Sequence, residues 1–179
     1  MTVVIDRIRA EDWPVLRELR LSALRDSPGA FGQSYVDAAR QSDDEWRSTA
    51  QVATSGDRRA WFIGRDQQTG RPLGMVQARR RPPEDCLLFS MWVAPDARRT
   101  GAGRALVDAV AAWGHAWGAK RVVLWVIAGN EAAMRFYDRI GFRTLQVGAD
   151  PEAGYAYGAI AMERPINPAT PSDGRAGGG

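Results

Sequence analysis

The chain has 179 residues, of which 45% are hydrophobic and 25% charged, and its formal net charge is +3 at pH 7. This length suits one well-buried domain, and the near balance of basic and acidic residues argues against a nucleic-acid partner. No apolar run reaches the length of a membrane span, the N-terminus lacks a signal-peptide pattern, and one cysteine with one histidine argues against a disulfide or a zinc centre. We therefore expect a cytoplasmic, metal-free domain without a membrane partner.

Hydrophobic periodicity and turn residues predict seven strands and four helices in the order β-α-α-β-β-β-α-β-α-β-β. In the first half, a strand over residues 3–9 precedes a helix that ends near Pro28. A capping box then starts a second helix at Asp43. Strands over residues 59–65 and 73–80 follow as an antiparallel hairpin.

The second half begins with a β-α-β crossover made of a strand over residues 86–93, a helix over 103–117 and a strand over 122–127. Such a crossover is right-handed and joins parallel strands. A helix over residues 131–140 and a strand pair over 142–147 and 155–163 follow. From residue 165 the chain is Pro, Gly, Ala and Ser without periodicity, so the sequence predicts one domain over residues 1–164 and a disordered tail over 165–179.

The turn that opens the crossover helix combines two glycines, Gly101 and Gly103, with three arginines, Arg98, Arg99 and Arg104. Free N–H groups at a helix start attract anions, and glycines allow a ligand to approach the main chain. A nucleoside-triphosphate loop would need Lys and then Ser or Thr after the second glycine, and a dinucleotide fingerprint would need a third small residue, so both are disfavoured. Each arginine can instead be merely solvated.

These features together resemble the GCN5-related N-acetyltransferase (GNAT) family. The cofactor motif of the family, Arg/Gln-x-x-Gly-x-Gly/Ala, matches RRTGAG over residues 98–103. Its next motif, an Asn that opens a helix carrying a Tyr and ending at Gly-Phe, matches Asn130, Tyr137 and residues 141–142. The segments LRLSAL (19–24) and SPGAFG (27–32) are similar to those of a subset of the family. The resemblance covers roughly residues 3–163.

The resemblance implies an α/β (α+β) fold of GNAT type. Its central mixed sheet would have six to seven mostly antiparallel strands, flanked by about four helices, with a V-shaped splay between the two central parallel strands. Acetyl-CoA would be the cosubstrate, with its pyrophosphate on the turn and its pantetheine arm along the bulged strand. The cofactor-binding residues implied are Met91, Trp92, Val93, Arg98, Arg99, Thr100, Gly101, Ala102, Gly103, Arg104, Asn130 and Ala133.

The resemblance also implies catalytic roles. The family uses a Tyr at the position of Tyr137 to protonate the leaving CoA thiolate. Where some members carry a general-base Glu this chain has Trp125, and other members use a carboxylate near the start of the preceding strand. Glu84 is then the first candidate base and Asp85 the second, with a water chain as the alternative. Asn130 can be an N-cap, a cofactor contact or both.

Aromatic residues are the candidates for an acceptor pocket, since aromatic walls suit a small or cationic amine. The candidate residues are Phe31, Tyr35, Trp125 and Tyr155, while Trp92 is either a wall of this pocket or part of the core.

The function implied is transfer of an acetyl group from acetyl-CoA to a primary amine, by direct attack in a ternary complex. We expect a small-molecule acceptor, and the resemblance allows a homodimer. One alternative is a protein acetyltransferase acting on Lys or an N-terminal amine; Trp125 in place of Glu counts against the N-terminal version. A second alternative is a non-catalytic acyl-CoA-binding module, against which Asn130 and Tyr137 argue.

Overall fold

The computed structural model of the protein describes residues 2–54, 57–145 and 158–166. Seven strands and five α-helices lie in this part of the chain. The strands are β1 Val3–Arg7, β2 Arg59–Asp66, β3 Pro72–Arg81, β4 Asp85–Val93, β5 Arg121–Ile127, β6 Arg143–Thr144 and β7 Ala159–Pro165. The helices are α1 Trp13–Asp26, α2 Tyr35–Arg40, α3 Asp43–Thr54, α4 Ala102–Ala116 and α5 Glu131–Arg139.

The strands form one mixed sheet in the order β1-β2-β3-β4-β5-β7-β6. The β4–β5 pair is parallel and every other neighbouring pair is antiparallel. This confirms the predicted sheet, its parallel central pair and the crossover helix α4 between them.

Each face of the sheet carries its own core, because side chains alternate along a strand. On one face α4 and α5 pack against the even-numbered residues of β2, such as Phe62, and against Val76 and Leu88. On the other face α1 and α3 cover the odd-numbered residues of β2, such as Ile63, together with Trp92. The domain is therefore a three-layer structure with the sheet in the middle.

The central strands separate toward their carboxyl ends. The β4–β5 pairing has three residue pairs, which end at Leu87 and Val123, although both strands continue beyond this point. Between the pairs Met75–Trp92 and Gln77–Phe89, β4 advances by three residues while β3 advances by two. This extra residue is a β-bulge at Ser90, whose φ of 51° lies in the left-handed region. The expected splay is present, and the bulge turns β4 away from β5.

Two local expectations within the domain differ from the structure. The loop predicted before Asp43 contains α2, which begins at an N-cap where Ser34 Oγ accepts from the Asp37 N–H; with six residues it is too short for periodicity to reveal. β6 has two residues rather than the predicted six.

The end of the domain also differs from the expectation. β7 includes Pro165, and the Ile166 N–H donates to the Lys120 carbonyl at 2.8 Å. The sheet therefore takes in Pro165, the first residue of the predicted tail, and Ile166 is hydrogen-bonded just beyond it. Residues 167–179 lie outside the described part of the chain.

None of the helices in the described ranges combines the length and the apolar character needed to cross a membrane.

Candidate active site

The splay between β4 and β5 opens onto a cavity of about 960 Å³, here called the large cavity. The end of β4, the turn after it, the start of α4, one face of α5 and the α1–α2 connection enclose it. Its lining residues are Ser27, Ala30, Phe31, Met91, Trp92, Val93, Pro95, Arg98, Arg99, Gly101, Gly103, Arg104, Asn130, Ala132, Ala133, Phe136, Tyr137, Arg139 and Ile140.

The start of α4 presents free backbone donors to the large cavity. Gly101 is the N-cap, with a φ of 93° that favours glycine, and it has no side chain to bond the first N–H groups of the helix. A Cβ on Gly103 would lie 3.1 Å from Phe136 Cζ, so glycine keeps the space between α4 and α5 open. A helix start of this kind attracts phosphate groups.

The charged residues that line the large cavity are all arginines: Arg98, Arg99, Arg104 and Arg139. No Asp or Glu stands among its lining residues in the described part of the chain. The cavity therefore suits a polyanionic ligand, and its backbone donors and arginines fit the pyrophosphate of CoA.

Asp26, at the end of α1, links this turn to the neighbouring helix. Its carboxylate accepts from Trp92 Nε1 at 3.0 Å and from the Arg98 guanidinium, whose Nε also donates to the Val93 carbonyl at 3.1 Å. Burial alone would raise the pKa of Asp26, but the hydrogen bonds from Trp92, Ser27 and Arg98 outweigh it and lower that pKa. Asp26 therefore stays charged and holds the cavity wall in place.

Asn130 and Tyr137 lie on the α5 side of the large cavity. Asn130 is the N-cap of α5, and its Oδ1 accepts from the Ala133 N–H at 3.1 Å. Tyr137, two turns further on, packs edge-to-face against Phe136 and Phe142 and is 7% exposed. Burial raises the pKa of the Tyr137 phenol far above its usual range, so the hydroxyl remains protonated.

A second cavity of about 260 Å³, here called the small cavity, continues between β4 and β5. It shares Phe31, Met91, Asn130 and Tyr137, among others, with the large cavity. Trp125 lines it and stacks on Phe89 with ring centroids 5.8 Å apart. Tyr137 thus lies where the two cavities meet.

Arg20 is the charged residue among the described residues that line the small cavity. Its guanidinium lies 4.7 Å from the centre of the Phe31 ring and contacts Gln33 Oε1 and Ser90 Oγ at 3.3 to 3.4 Å. Burial lowers the pKa of Arg20. No salt bridge joins it to an acidic residue within the described ranges.

Several sequence-predicted residues do not line either cavity. Glu84 lies before the first residue of β4, whereas both cavities are at the far end of that strand. At about 3.3 Å per residue, Glu84 is about 20 Å from Met91, too far to take a proton from an acceptor there. The placement of Glu84 therefore does not support its prediction as the base.

Asp85, the second candidate base, serves the structure instead. Its carboxylate accepts from Arg121 Nε at 2.6 Å and from Arg81 Nη2 at 2.8 Å, and Arg121 also donates to Glu163 at 2.7 Å. This buried network joins β4, β5 and β7 at the end opposite the cavities.

Three further predicted residues are also placed away from the cavities. The Tyr35 hydroxyl accepts from Arg25, and Tyr35 lines neither cavity. Thr100 Oγ1 donates to the Ala97 carbonyl at 2.6 Å, and Ala102, the first residue of α4, is fully buried. Tyr155 lies outside the described residues.

Some lining residues were missed by sequence reasoning, notably Arg20, Ser90, Phe136 and Arg139. Phe136 and Arg139 lie on the helix that carries Tyr137. Their spacing from Tyr137 did not indicate that either of them lines the cavity. The sequence around Ser90 does not indicate a bulge. Arg20 is one of several arginines in its helix, so the sequence does not single it out.

No cluster of three or more His, Cys, Asp or Glu side chains suited to a metal occurs in the residues that the structure describes. Burial raises the pKa of the Cys86 thiol to about 12, and its Sγ lies 3.7 Å from the Val110 carbonyl. Cys86 is therefore an unreactive core residue rather than a nucleophile.

Comparison with known proteins points to the family that the sequence motifs resemble. A model of the acetyltransferase (GNAT) family matches residues 13–142. An uncharacterized N-acetyltransferase of Mycobacterium tuberculosis is 37% identical over 91 residues, 48% of this chain and 58% of that protein. A mycothiol acetyltransferase of Propionibacterium freudenreichii is 25% identical over 157 residues, 85% of this chain and 45% of that protein. The chain thus spans about half the length of these curated relatives.

Among solved structures, the PaiA N-acetyltransferase of Thermoplasma acidophilum in complex with coenzyme A superposes with a TM-score of 0.71 at 16% identity. The match covers 92% of this chain and 99% of that one, which supports the fold. The family model covers most of the described residues, including the turn, α4 and α5. The chain therefore belongs to the acetyltransferase (GNAT) family.

Proposed function

We propose that the protein transfers the acetyl group of acetyl-CoA to the primary amine of a small molecule, by direct attack in a ternary complex. One observation carries this proposal: the large and small cavities meet at Tyr137, between the free helix start of α4 and an aromatic pocket. A phosphate-bearing cosubstrate and a compact acceptor can thus enter from two sides and meet at one point.

The large cavity has the donors that a CoA thioester needs. The backbone at residues 101–104 and the arginines Arg99, Arg104 and Arg139 would hold the phosphates, while Met91 and Val93 offer backbone groups for the arm. Arg98 would contribute charge while tied to Asp26. Acetyl-CoA, when bound, supplies the thioester carbonyl that the amine attacks.

The described residues that line the two cavities include a proton donor and no base. In the reaction the amine nitrogen bonds to the carbonyl carbon, the carbon–sulfur bond breaks, and Tyr137 donates its phenolic proton to the leaving sulfur. Because none of the described lining residues of either cavity is Asp, Glu or His, the ammonium proton leaves to solvent, directly or through a water chain. Solvent then returns a proton to Tyr137.

The size of the small cavity favours a small acceptor over a protein one. Its volume of about 260 Å³ is just below the usual range for small-molecule pockets, about 300–1,000 Å³. A cytoplasmic location and a homodimer stay predictions.

The test is release of CoA thiol from acetyl-CoA with a broad panel of amines, alongside a Tyr137→Phe variant. We expect this variant to bind CoA normally and to lose about 100-fold in kcat, the low end of the range for general acids, because burial makes this phenol a weak acid. Phe142→Leu, which alters a neighbour of the Tyr137 ring but lines neither cavity, is the matched control.

Two results would contradict the proposal. CoA binding without thiol release for any amine would favour a non-catalytic acyl-CoA-binding module. Unchanged turnover in Tyr137→Phe would remove the acid assignment while leaving the transfer reaction.

A further inference from the structure

We infer that Arg20 selects an acceptor that carries a carboxylate as well as its amine, an amino acid or a compound of similar size. This inference rests on the proposed function, since it names the class of acceptor for the same site. It starts from one juxtaposition: a guanidinium that has no acidic partner among the described residues lies in the same small cavity as Tyr137.

The described residues that contact Arg20 are neutral. Its nitrogen atoms meet Gln33 Oε1 and Ser90 Oγ at 3.3 to 3.4 Å, longer than the usual 2.7–3.2 Å of a good N–H···O bond. Its planar face lies over Phe31. These contacts orient the guanidinium without neutralising its charge. An incoming anion would supply the missing negative charge.

Other arginines of the protein pair with a carboxylate. Arg17, one turn earlier on α1, pairs with Asp43 at 3.4 Å, and Arg98 pairs with Asp26. Within the described residues Arg20 lacks such a carboxylate, although it is partly buried and lines the small cavity. A charged group is seldom enclosed without a counter-charge, and a bound ligand can supply one.

The chemistry of the cavity selects a carboxylate with an apolar body. The five donors of a guanidinium form a planar fork that matches the two oxygens of a carboxylate. Phe31, Phe89 and Trp125 supply the apolar walls, and the volume of about 260 Å³ limits the ligand to a compact one. A polyamine, by contrast, would bring further positive charge close to Arg20.

The experiment compares acceptors that differ by the carboxylate alone. Thiol release is measured with phenylalanine against phenethylamine, leucine against isopentylamine, and the remaining standard amino acids against their decarboxylated amines, all at a pH above the pKa of each amine. We expect at least one amino acid to be used with a kcat/KM ten- to 100-fold above that of its decarboxylated partner, the value of a hydrogen bond to a charged group.

The variants are Arg20→Gln, Arg20→Lys and the control Arg17→Gln, which makes the same charge change on the same helix away from the cavities. Arg20→Gln should lower kcat/KM for the amino acid to about that of its decarboxylated partner, so that the preference between the two is lost. Arg20→Lys should fall between, because it keeps the charge and loses the fork. Arg17→Gln should keep the full preference.

Wild-type protein provides a test that does not depend on the folding of any variant. The N-acetyl amino acid should inhibit at least tenfold more strongly than the N-acetyl derivative of the decarboxylated amine. Equal inhibition, equal use of the paired acceptors, or an equal loss for both acceptors in Arg20→Gln would overturn the role of Arg20. If amines without a carboxylate are acetylated in those cases, the proposed function stands alone; if no amine of any kind is acetylated, both proposals fall.

Discussion

Gly103 is where the packing of α4 against α5 determines the room for the cosubstrate, and Gly103→Ala tests this directly. The added Cβ would lie 3.1 and 3.2 Å from Phe136 Cζ and Cε2, and 3.5 Å from Met91 Cε. These contacts are tight by a few tenths of an ångström, and the partly exposed Phe136 ring can move by that amount.

The effects on stability nearly cancel. Replacing a helical glycine by alanine stabilises by about 0.5–1 kcal/mol, and mild overpacking costs about 1 kcal/mol, the low end of its usual range. We therefore expect the free energy of unfolding to change by less than about 1 kcal/mol, or about 2–4 °C in Tm. The large cavity, however, loses space beside the free helix start, and we expect the Kd for CoA to rise about tenfold, or about 1.4 kcal/mol.

The assay is titration calorimetry of CoA with wild type, Gly103→Ala and the double variant Gly103→Ala/Phe136→Leu. The shorter leucine removes the ring atoms that the new methyl meets, so it should recover most of the affinity. Gly29→Ala is the control, since a Cβ there meets nothing within 4 Å and Gly29 lines neither cavity. Wild-type affinity in Gly103→Ala would refute the packing argument, and lost affinity without recovery in the double variant would show that Phe136 is not the cause.

Two further predictions concern protons. Burial alone would raise the pKa values of Asp85 and Glu163, but the hydrogen bonds and charges of Arg121, Arg81 and Arg143 lower them. The stability that these two carboxylates contribute is therefore complete above their unfolded pKa of about 4 and is lost as the pH falls through the folded values. Asp85→Asn should cost about 2–3 kcal/mol of stability at pH 7, less than breaking a fully buried pair would cost, because Arg121 is 32% exposed. Urea unfolding of this variant between pH 3 and 7 should show a shallower loss of stability in acid than that of wild type. An identical slope would contradict the network. Since no described lining residue is a base, kcat/KM should rise with pH up to the pKa of the acceptor amine. A plateau at a lower pH would reveal a base other than the described lining residues.

Sequence reasoning succeeded where the chemistry is local. The glycine-arginine turn, the N-cap Asn130 and the position of Tyr137 two turns later follow from a few neighbouring residues, and the structure brings them to one cavity. The crossover was predictable for a similar reason, because a buried strand, an amphipathic helix and a second buried strand leave one usual topology.

It failed where a role depends on distance along a strand or on a partner far away in sequence. Glu84 was placed near the reaction because it precedes the right strand, yet the length of β4 separates it from the cavities. Tyr35 was assigned to the acceptor pocket by its loop, but α2 forms there and Arg25 takes its hydroxyl.

The sequence by itself determined the family and predicted the anion-binding turn and the proton donor, since each depends on a short motif whose backbone requirements are local. The tertiary structure alone decided how the site is shaped: the bulge at Ser90 that parts β4 from β5, the link from Asp26 to Arg98, and the place of Arg20 in the small cavity. The last two of these features join residues 70 or more positions apart, and such contacts depend on how the sheet and helices pack rather than on any local pattern.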